Sequence, residues 1–307
     1  MAERGPALVP TLAGDPGGQA AASVREGPAR RPALSLVIPA WNSSAYLDSN
    51  VRAALAFLDR SGIDGEIVVA DDGSTDGTAD VVGRDPRVLV LRLAHRGKGA
   101  ALRAGMLAAS GEIRAFTDAD LPYGVDALPL AMSYILERRF HAVVGDRTLP
   151  GSTYRNAGFL RRVISGVASF TFRTLVTGGI YDTQCGFKAF RGEVAEELFR
   201  LAQVDGFAID LELIYLALKY RLDVKRIPVQ LQRNAPSSVR VVRDSLRALR
   251  DIASIRLNLA RGRYQSLALT SMLAAELEAD LASARGRPGE ASAGGAPLDT
   301  PGRTAKA

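Results

Sequence analysis

The stretch "EIVVADDGSTDGTAD", residues 66–80, decides the fold. It opens on a short run that is apolar and mostly β-branched, suited to a buried strand and too brief for a helix. Two aspartates, a glycine and a serine break that run, and Thr75 or Asp76 can cap a helix through Val82. Strand, turn and helix in this order make half of a βαβ unit, in which the helix returns the chain to start a parallel neighbour.

The same order repeats on both sides. "LSLVIP" (34–39), "VLVLRL" (88–93), "IRAFTD" (113–118) and "HAVVG" (141–145) read as further strands. Ser43 or Ser44 can cap a helix through Leu58, and "GKGAALRAGMLAAS" (97–110) has the alanine content of another. The alternation predicts an α/β fold with a doubly wound, mostly parallel sheet. Beyond Asp146 the pattern changes to longer helices, over roughly residues 156–177, 192–202, 209–220 and 241–261, read as an appended acceptor-side region of the same domain.

Composition bounds the chemistry. In 307 residues with 47% hydrophobic content there is material for a substantial core. Residues 1–32 and 283–307 are rich in Gly, Pro and Ala and read as disordered tails, which leaves residues 33–282 as the folded domain. The first tail lacks the apolar centre of a signal peptide, and the longest apolar run, "VISGVASFTFRTLVTGGIY", is interrupted by Arg173. The expected placement is cytoplasmic, with peripheral contact to a membrane as an option. One cysteine, Cys185, excludes an intramolecular disulfide, and two histidines leave carboxylates as the metal ligands. A net charge of +6 suits an anionic ligand, an anionic membrane or nucleic acid equally.

In open α/β sheets ligands bind beyond the carboxyl ends of the strands. The five predicted strands are followed or closed by "AWNSS", "DDGSTDGT", "AHRGKG", "DADLPYG" and "DRTLPGS", so acids, amides and small residues gather on one edge. Asp118 and Asp120 converge if the strand continues through them, and a bound Mg²⁺ or Mn²⁺ would relieve their repulsion; a solvated turn is the plainer reading. Asp71 and Asp72 can accept hydrogen bonds from a base or ribose, although turn and cap chemistry explains part of that motif. Gly97, Lys98 and Gly99 have the make-up of an anion site or of a plain surface turn. Neither a Walker loop nor a Gly-x-Gly-x-x-Gly follows the first strand, which disfavours an ATPase or a dinucleotide oxidoreductase. Asp182, Gln184 and Lys188 crowd around Gly186, while Asp210 and Glu212 open an apolar helix, where they serve its dipole or catalysis.

With these residues assembled, the chain resembles the family 2 inverting glycosyltransferases of the GT-A fold, in particular the polyprenyl-phosphate sugar synthases that include the dolichyl-phosphate glucosyltransferases. The likeness runs over about residues 34–259 and rests on "VIPAWN", "ADDGSTDGT", "GKGAALRAGM", "DADL", "DTQCGFKAF" and "IDLELIYLA" in that order. It implies that Pro39, Ala40 and Asn42 line the nucleotide site, that Asp71 and Asp72 contact base and ribose, and that Lys98 borders the nucleotide. It further implies a metal-binding Asp118-x-Asp120, with Asp182, Gln184, Lys188, Asp210 and Glu212 near sugar and acceptor. Arg147 and Arg240 become candidates for a phosphate clamp. The sequence departs from the family pattern at Ser43, where relatives carry an acid, and at Asp146, where they carry a serine.

The reaction implied is metal-dependent, inverting transfer of a hexose, glucose from UDP-glucose, onto a polyprenyl phosphate. Such an acceptor oxygen is already anionic and needs no strong base; a soluble hydroxyl acceptor would require one from Asp182, Asp210 or Glu212. Two arginine-bearing stretches, 155–176 and 237–263, have helical spacing suited to a membrane surface or to ordinary packing on the sheet. A sugar-1-phosphate nucleotidyltransferase is disfavoured because "PAWNS" lacks glycine, and a non-catalytic nucleic-acid-binding module leaves the acidic strand ends unexplained.

Overall fold

The computed structural model describes residues 31–152, 185–232 and 241–285, without the side chains of 241–249 and 284–285. The helix expected over 156–177, the residues Asp182, Gln184 and Arg240, and most of both tails lie outside the described residues. The strands are β1 (Leu34–Ala40), β2 (Gly65–Asp71), β3 (Val88–Arg92), β4 (Ile113–Phe116), β5 (Ala142–Asp146), β6 (Lys188–Arg191) and β7 (Val224–Pro228). The helices are α1 (Leu47–Ser61), α2 (Thr78–Val81), α3 (Lys98–Ala108), α4 (Leu128–Leu136), α5 (Gly192–Leu201), α6 (Ile209–Lys219), α7 (Val241–Ala260) and α8 (Leu267–Arg285). By its contacts the chain divides into two units, one ending at Ser266 and one beginning at Leu267. Among the described residues the second unit is helix α8. No described helix is long and apolar enough to cross a membrane.

The seven strands form one sheet in the order β3-β2-β1-β4-β6-β5-β7. Strands β1 to β4 are parallel, with Leu34 opposite both Gly65 and Ile113. Strand β6 runs antiparallel to β4 and β5, and β7 extends β5 in parallel. Strands β1 and β2 are buried along their whole length, which is why their sequences are nearly continuous apolar runs. On one face Leu36, Ile38, Ile67 and Val69 join Leu47, Val51, Phe57 and Leu58 of α1 and Leu128, Ala131 and Ile135 of α4 in a single core. Phe116, Phe190 and Phe199 form a second aromatic cluster, with ring centroids 6.1–6.3 Å apart. The chain leaves β1 towards β2 and β3 on one side and returns to β4 on the other. That reversal opens a crevice beyond the carboxyl ends of β1 and β4.

Several local expectations require correction. Strand β4 stops at Phe116, so Asp118 and Asp120 do not share a strand face. Thr117 N–H still donates to Val37 O (3.1 Å), but Leu121 then adopts φ 45° and its N–H closes a turn onto Asp118 O. Strand β6 lies in what read as a loop, and β7 in the half read as helical. Helix α1 carries no serine side-chain cap. Instead Ser43 N–H donates to Thr78 Oγ1 (2.7 Å) and Ser44 N–H to Asp76 (3.0 Å), so both serines tie the first strand-end loop to the second. The Thr78 hydroxyl and the Ser44 bonds hold the exposed Asp76 carboxyl down at about 2.

Candidate active site

The ends of β1 and β2 are fastened side by side. Asp72 N–H donates to Ala40 O (2.8 Å), Asn42 N–H donates to Ser74 Oγ (2.8 Å), and Thr75 N–H returns to Asn42 Oδ1 (3.0 Å). Asn42 sits at φ 48°, a backbone state that asparagine tolerates better than most residues. Asp71 accepts the Ser74 hydroxyl and amide on Oδ1. Among the described residues its Oδ2 receives no donor. Beside these loops the rings of Trp41 and His95 stack, with centroids 4.9 Å apart and planes 20° off parallel, and half of Trp41 remains exposed. Neither ring was singled out in the sequence, because residues 54 positions apart carry no shared pattern.

Asp72 has a different position from its neighbour. Its carboxylate accepts Arg96 N–H (2.8 Å) and Gly97 N–H (2.9 Å), and His95 Nδ1 lies 2.9 Å from Oδ2. It holds the loop that leads into α3. Two N–H groups of the first turn of that helix are also engaged: Gly99 and Ala100 donate to Asp205 O (2.8 and 3.2 Å). Gly97 and Gly99 permit the approach, since a Cβ on them would lie 2.6 Å from Asp205 O and 2.3 Å from Val204 O. The Asp205 carboxylate adds Arg96 and Arg103 (2.8 and 2.7 Å). The glycine-lysine-glycine motif therefore closes a protein contact through the N–H groups of both glycines, and leaves Lys98 as its chemically active member.

Lys98 Nζ lies 2.7 Å from Asp118 Oδ1 and 3.5 Å from Asp210 Oδ2. Asp210 in turn pairs with Lys188, whose ammonium also donates to Cys185 O (2.9 Å). The result is an alternating array, Asp118, Lys98, Asp210 and Lys188, in which two cations offset two anions. Only Asp118 at its open end is substantially exposed. Burial alone would raise the Asp210 carboxyl, but the Lys188 and Lys98 ammonium groups reverse this and hold it below the usual carboxylate range. Burial likewise disfavours the Lys98 cation, and Asp118 and Asp210 more than compensate, keeping it protonated.

Glu212, two residues along α6, points into another environment. Gln203 and Val204 N–H groups donate to it (both 2.9 Å), and the Tyr264 hydroxyl donates at 2.5 Å. Burial outweighs these bonds and raises its carboxyl above the ordinary value. Asp210 and Glu212 are thus not brought together: one joins the charged array, the other anchors the segment that carries Asp205. Pro39 and Ala40 are buried at the end of β1. Arg147 is half-buried just past β5, next to Asp146, which is fixed by Arg226 (2.6 Å) and Thr148 (2.6 Å).

Two contacts of the Asp118 turn are not legible in the sequence, one from Asn50 and one from the motif glycine Gly186. Asn50, 2% exposed on α1, donates to Ala119 O (2.8 Å), the residue between the two acids. Its sequence signal is a polar residue within the apolar stripe Leu47, Val51, Ala54. Gly186 faces Asp118, where a Cβ would fall 2.0 Å from Oδ2. Asp118 and Asp120, both partly exposed, offer hard oxygen donors of the kind Mg²⁺ and Mn²⁺ take, and the absence of a side chain at Gly186 lets the Asp118 carboxylate take its place there. Among the described residues no group of three or more His, Cys, Asp or Glu side chains is placed to hold a metal. A cation on this pair would draw its remaining ligands from elsewhere.

Comparison with known proteins agrees with the architecture. Residues 35–199 match the family described as glycosyl transferase family 2. Among individual relatives, dolichyl-phosphate beta-glucosyltransferase of Dictyostelium discoideum is 29% identical over 250 residues, covering 76% of each chain. The protein of the same name from Drosophila melanogaster is 33% identical over 217 residues, covering 64% of this chain and 66% of its own. Among solved structures, glucosyl-3-phosphoglycerate synthase from Mycobacterium tuberculosis, in complex with Mn²⁺, UDP-glucose and phosphoglyceric acid, superposes with a TM-score of 0.52 at 21% identity. That match covers 76% of this chain and 80% of the other. The fold is GT-A, and the chain is a glycosyltransferase belonging to glycosyl transferase family 2.

Proposed function

We propose that this enzyme transfers glucose from UDP-glucose to a polyprenyl phosphate of the dolichyl type, with inversion at the anomeric carbon and with Mg²⁺ or Mn²⁺ on Asp118 and Asp120. The names of the relatives support the sugar and the acceptor. The observation in the site that carries the acceptor class is the state of the two acids on α6. Asp210 is ion-paired with two lysines and held below the usual carboxylate range, and Glu212 is enclosed by two backbone amides and Tyr264. Neither is available as the general base that a hydroxyl acceptor requires and a phosphate acceptor does not, which leaves Asp182, outside the described residues, as the remaining candidate for that role.

The donor nucleoside lies over the ends of β1 and β2, with its base near the Trp41–His95 pair and its polar groups near Asp71, while Asp72 keeps the 95–97 loop in shape. The bond between the sugar and the diphosphate breaks as an acceptor phosphate oxygen bonds the anomeric carbon from the opposite face. A divalent cation supplies Lewis-acid stabilisation of the departing diphosphate. Lys98 adds a positive charge at the same edge, and Lys188 keeps Asp210 in place behind it. Asp182, Gln184, Arg147 and Arg240 are assigned to the sugar and the acceptor phosphate on the motif resemblance. Access to a lipid acceptor is served by α7, where exposed Leu257 shares a helix face with exposed Arg250.

The test incubates purified protein with Mn²⁺, radiolabelled UDP-glucose and a polyprenyl phosphate, and counts label in the organic phase. The expected result is metal-dependent transfer that Asp120→Asn abolishes. Transfer that survives metal chelation and Asp120→Asn would refute the metal assignment, and release of UDP without labelled lipid would refute the acceptor.

A further inference from the structure

The ammonium of Lys98 occupies the position where a cation bound to Asp118 would need no competitor. It sits 2.7 Å from Asp118 Oδ1, and the other oxygen of that carboxylate faces Gly186. Asp210 keeps a partner without Lys98, because Lys188 pairs with its Oδ1 while Lys98 stands 3.5 Å from Oδ2. The main-chain root of Lys98 is fixed, since Gly97 is bonded to Asp72 and Gly99 to Asp205. Its side chain can therefore leave Asp118 by rotation alone, with the Asp210–Lys188 pair and the start of α3 kept in place. A divalent ion placed on the same carboxylate would lie within a few ångströms of the ammonium, and like charges that close in a partly buried site repel strongly.

We infer that Lys98 is an internal competitor of the divalent cation. In the donor-free enzyme it holds Asp118; it releases that carboxylate when the donor's diphosphate offers the ammonium another anion. Cation and nucleotide sugar then enter as a coupled pair, and metal binding alone is weak. The inference rests on the reading that Asp118 and Asp120 hold the cation. It is consistent with a site that supplies few protein ligands among the described residues and takes the rest from a diphosphate.

The test measures free Mn²⁺ by electron paramagnetic resonance, without turnover, in the presence and absence of UDP. Wild-type protein should bind Mn²⁺ weakly alone and at least about tenfold more tightly with saturating UDP, with UDP gaining the same factor from Mn²⁺. Lys98→Met and Lys98→Gln should tighten Mn²⁺ binding in the absence of UDP by about tenfold or more and shrink the coupling, since one buried positive charge is gone. Adding Asp118→Asn should cancel that gain. The glutamine variant keeps a donor for Asp118 and carries the test if the methionine variant does not fold. If both variants bind Mn²⁺ alone no more tightly than wild type, or if Mn²⁺ and UDP bind wild type independently, Lys98 is not a competitor. If wild type binds no Mn²⁺ even with UDP, the metal assignment itself falls.

Discussion

The hydroxyl of Tyr264 donates to Glu212 across 52 residues of sequence, at 2.5 Å, inside the protein. The carboxyl of Glu212 is raised above its ordinary value of 4.5 by burial. Between 4.5 and that raised value the folded protein binds the proton more tightly than the unfolded chain, so stability falls as pH rises through the window. Glu212→Gln is expected to remove this slope. Tyr264→Phe withdraws a donor from the charged form and should steepen it. Urea midpoints taken across the weakly acidic range for the three proteins check the prediction, and parallel curves would refute it.

Asp210 behaves in the opposite sense. Its carboxyl is depressed below 3.8 by the lysines despite burial, so its contribution to stability is complete above 3.8 and is lost as pH falls through the depressed value. Replacing it strands the Lys188 ammonium, which is 1% exposed. Asp210→Asn should cost about 3–5 kcal/mol, as expected for breaking a buried pair. The double replacement Asp210→Leu with Lys188→Met should recover much of that stability and no activity. Denaturant unfolding beside a transfer assay separates the two effects.

These networks show which parts of the molecule the sequence disclosed. The parallel half was legible because β1 and β2 are buried on both faces and write that burial as continuous apolar runs. Strand β6 was not: only four residues long, it begins and ends on Lys188 and Arg191, and its partners β4 and β5 supply the pairing that its own composition does not announce. The motif acids were legible as a group, since strand ends converge in any open α/β sheet. Their division of labour was not. Asp71 and Asp72 are adjacent in sequence, yet one keeps an open oxygen and the other is committed to the loop at 95–97. Asp210 and Glu212 differ likewise because two residues along a helix turn a side chain to nearly the opposite face.

Asn50 acts through the turn it supports. Its side-chain amide bonds Ala119 O between the two acids. Asn50→Leu fills the same volume and leaves that carbonyl without its donor, at a cost of about 1–3 kcal/mol. If the bond positions Asp118 and Asp120, the variant should also raise the donor KM and weaken Mn²⁺·UDP binding by roughly tenfold, a change worth about 1.4 kcal/mol. A purely architectural role would lower stability and leave KM unchanged. Calorimetric titration with Mn²⁺ and UDP beside a thermal melt distinguishes the two.

Gly186 is expected to matter for activity far more than for folding. A methyl group there would fall 2.0 Å from Asp118 Oδ2 and 2.7 Å from its Cγ, too close to coexist. The atoms that must yield belong to a partly exposed side chain, so the backbone can stay and Asp118 swings aside. Gly186→Ala should therefore keep its melting temperature within a few degrees while losing about 10²-fold in turnover, the penalty of misplacing a reacting group by about an ångström. The displaced carboxylate also leaves Lys98, so Mn²⁺·UDP affinity should drop with activity. A variant that melts much lower and retains turnover in proportion to its folded fraction would show instead that the glycine serves only the close packing of the loop before β6.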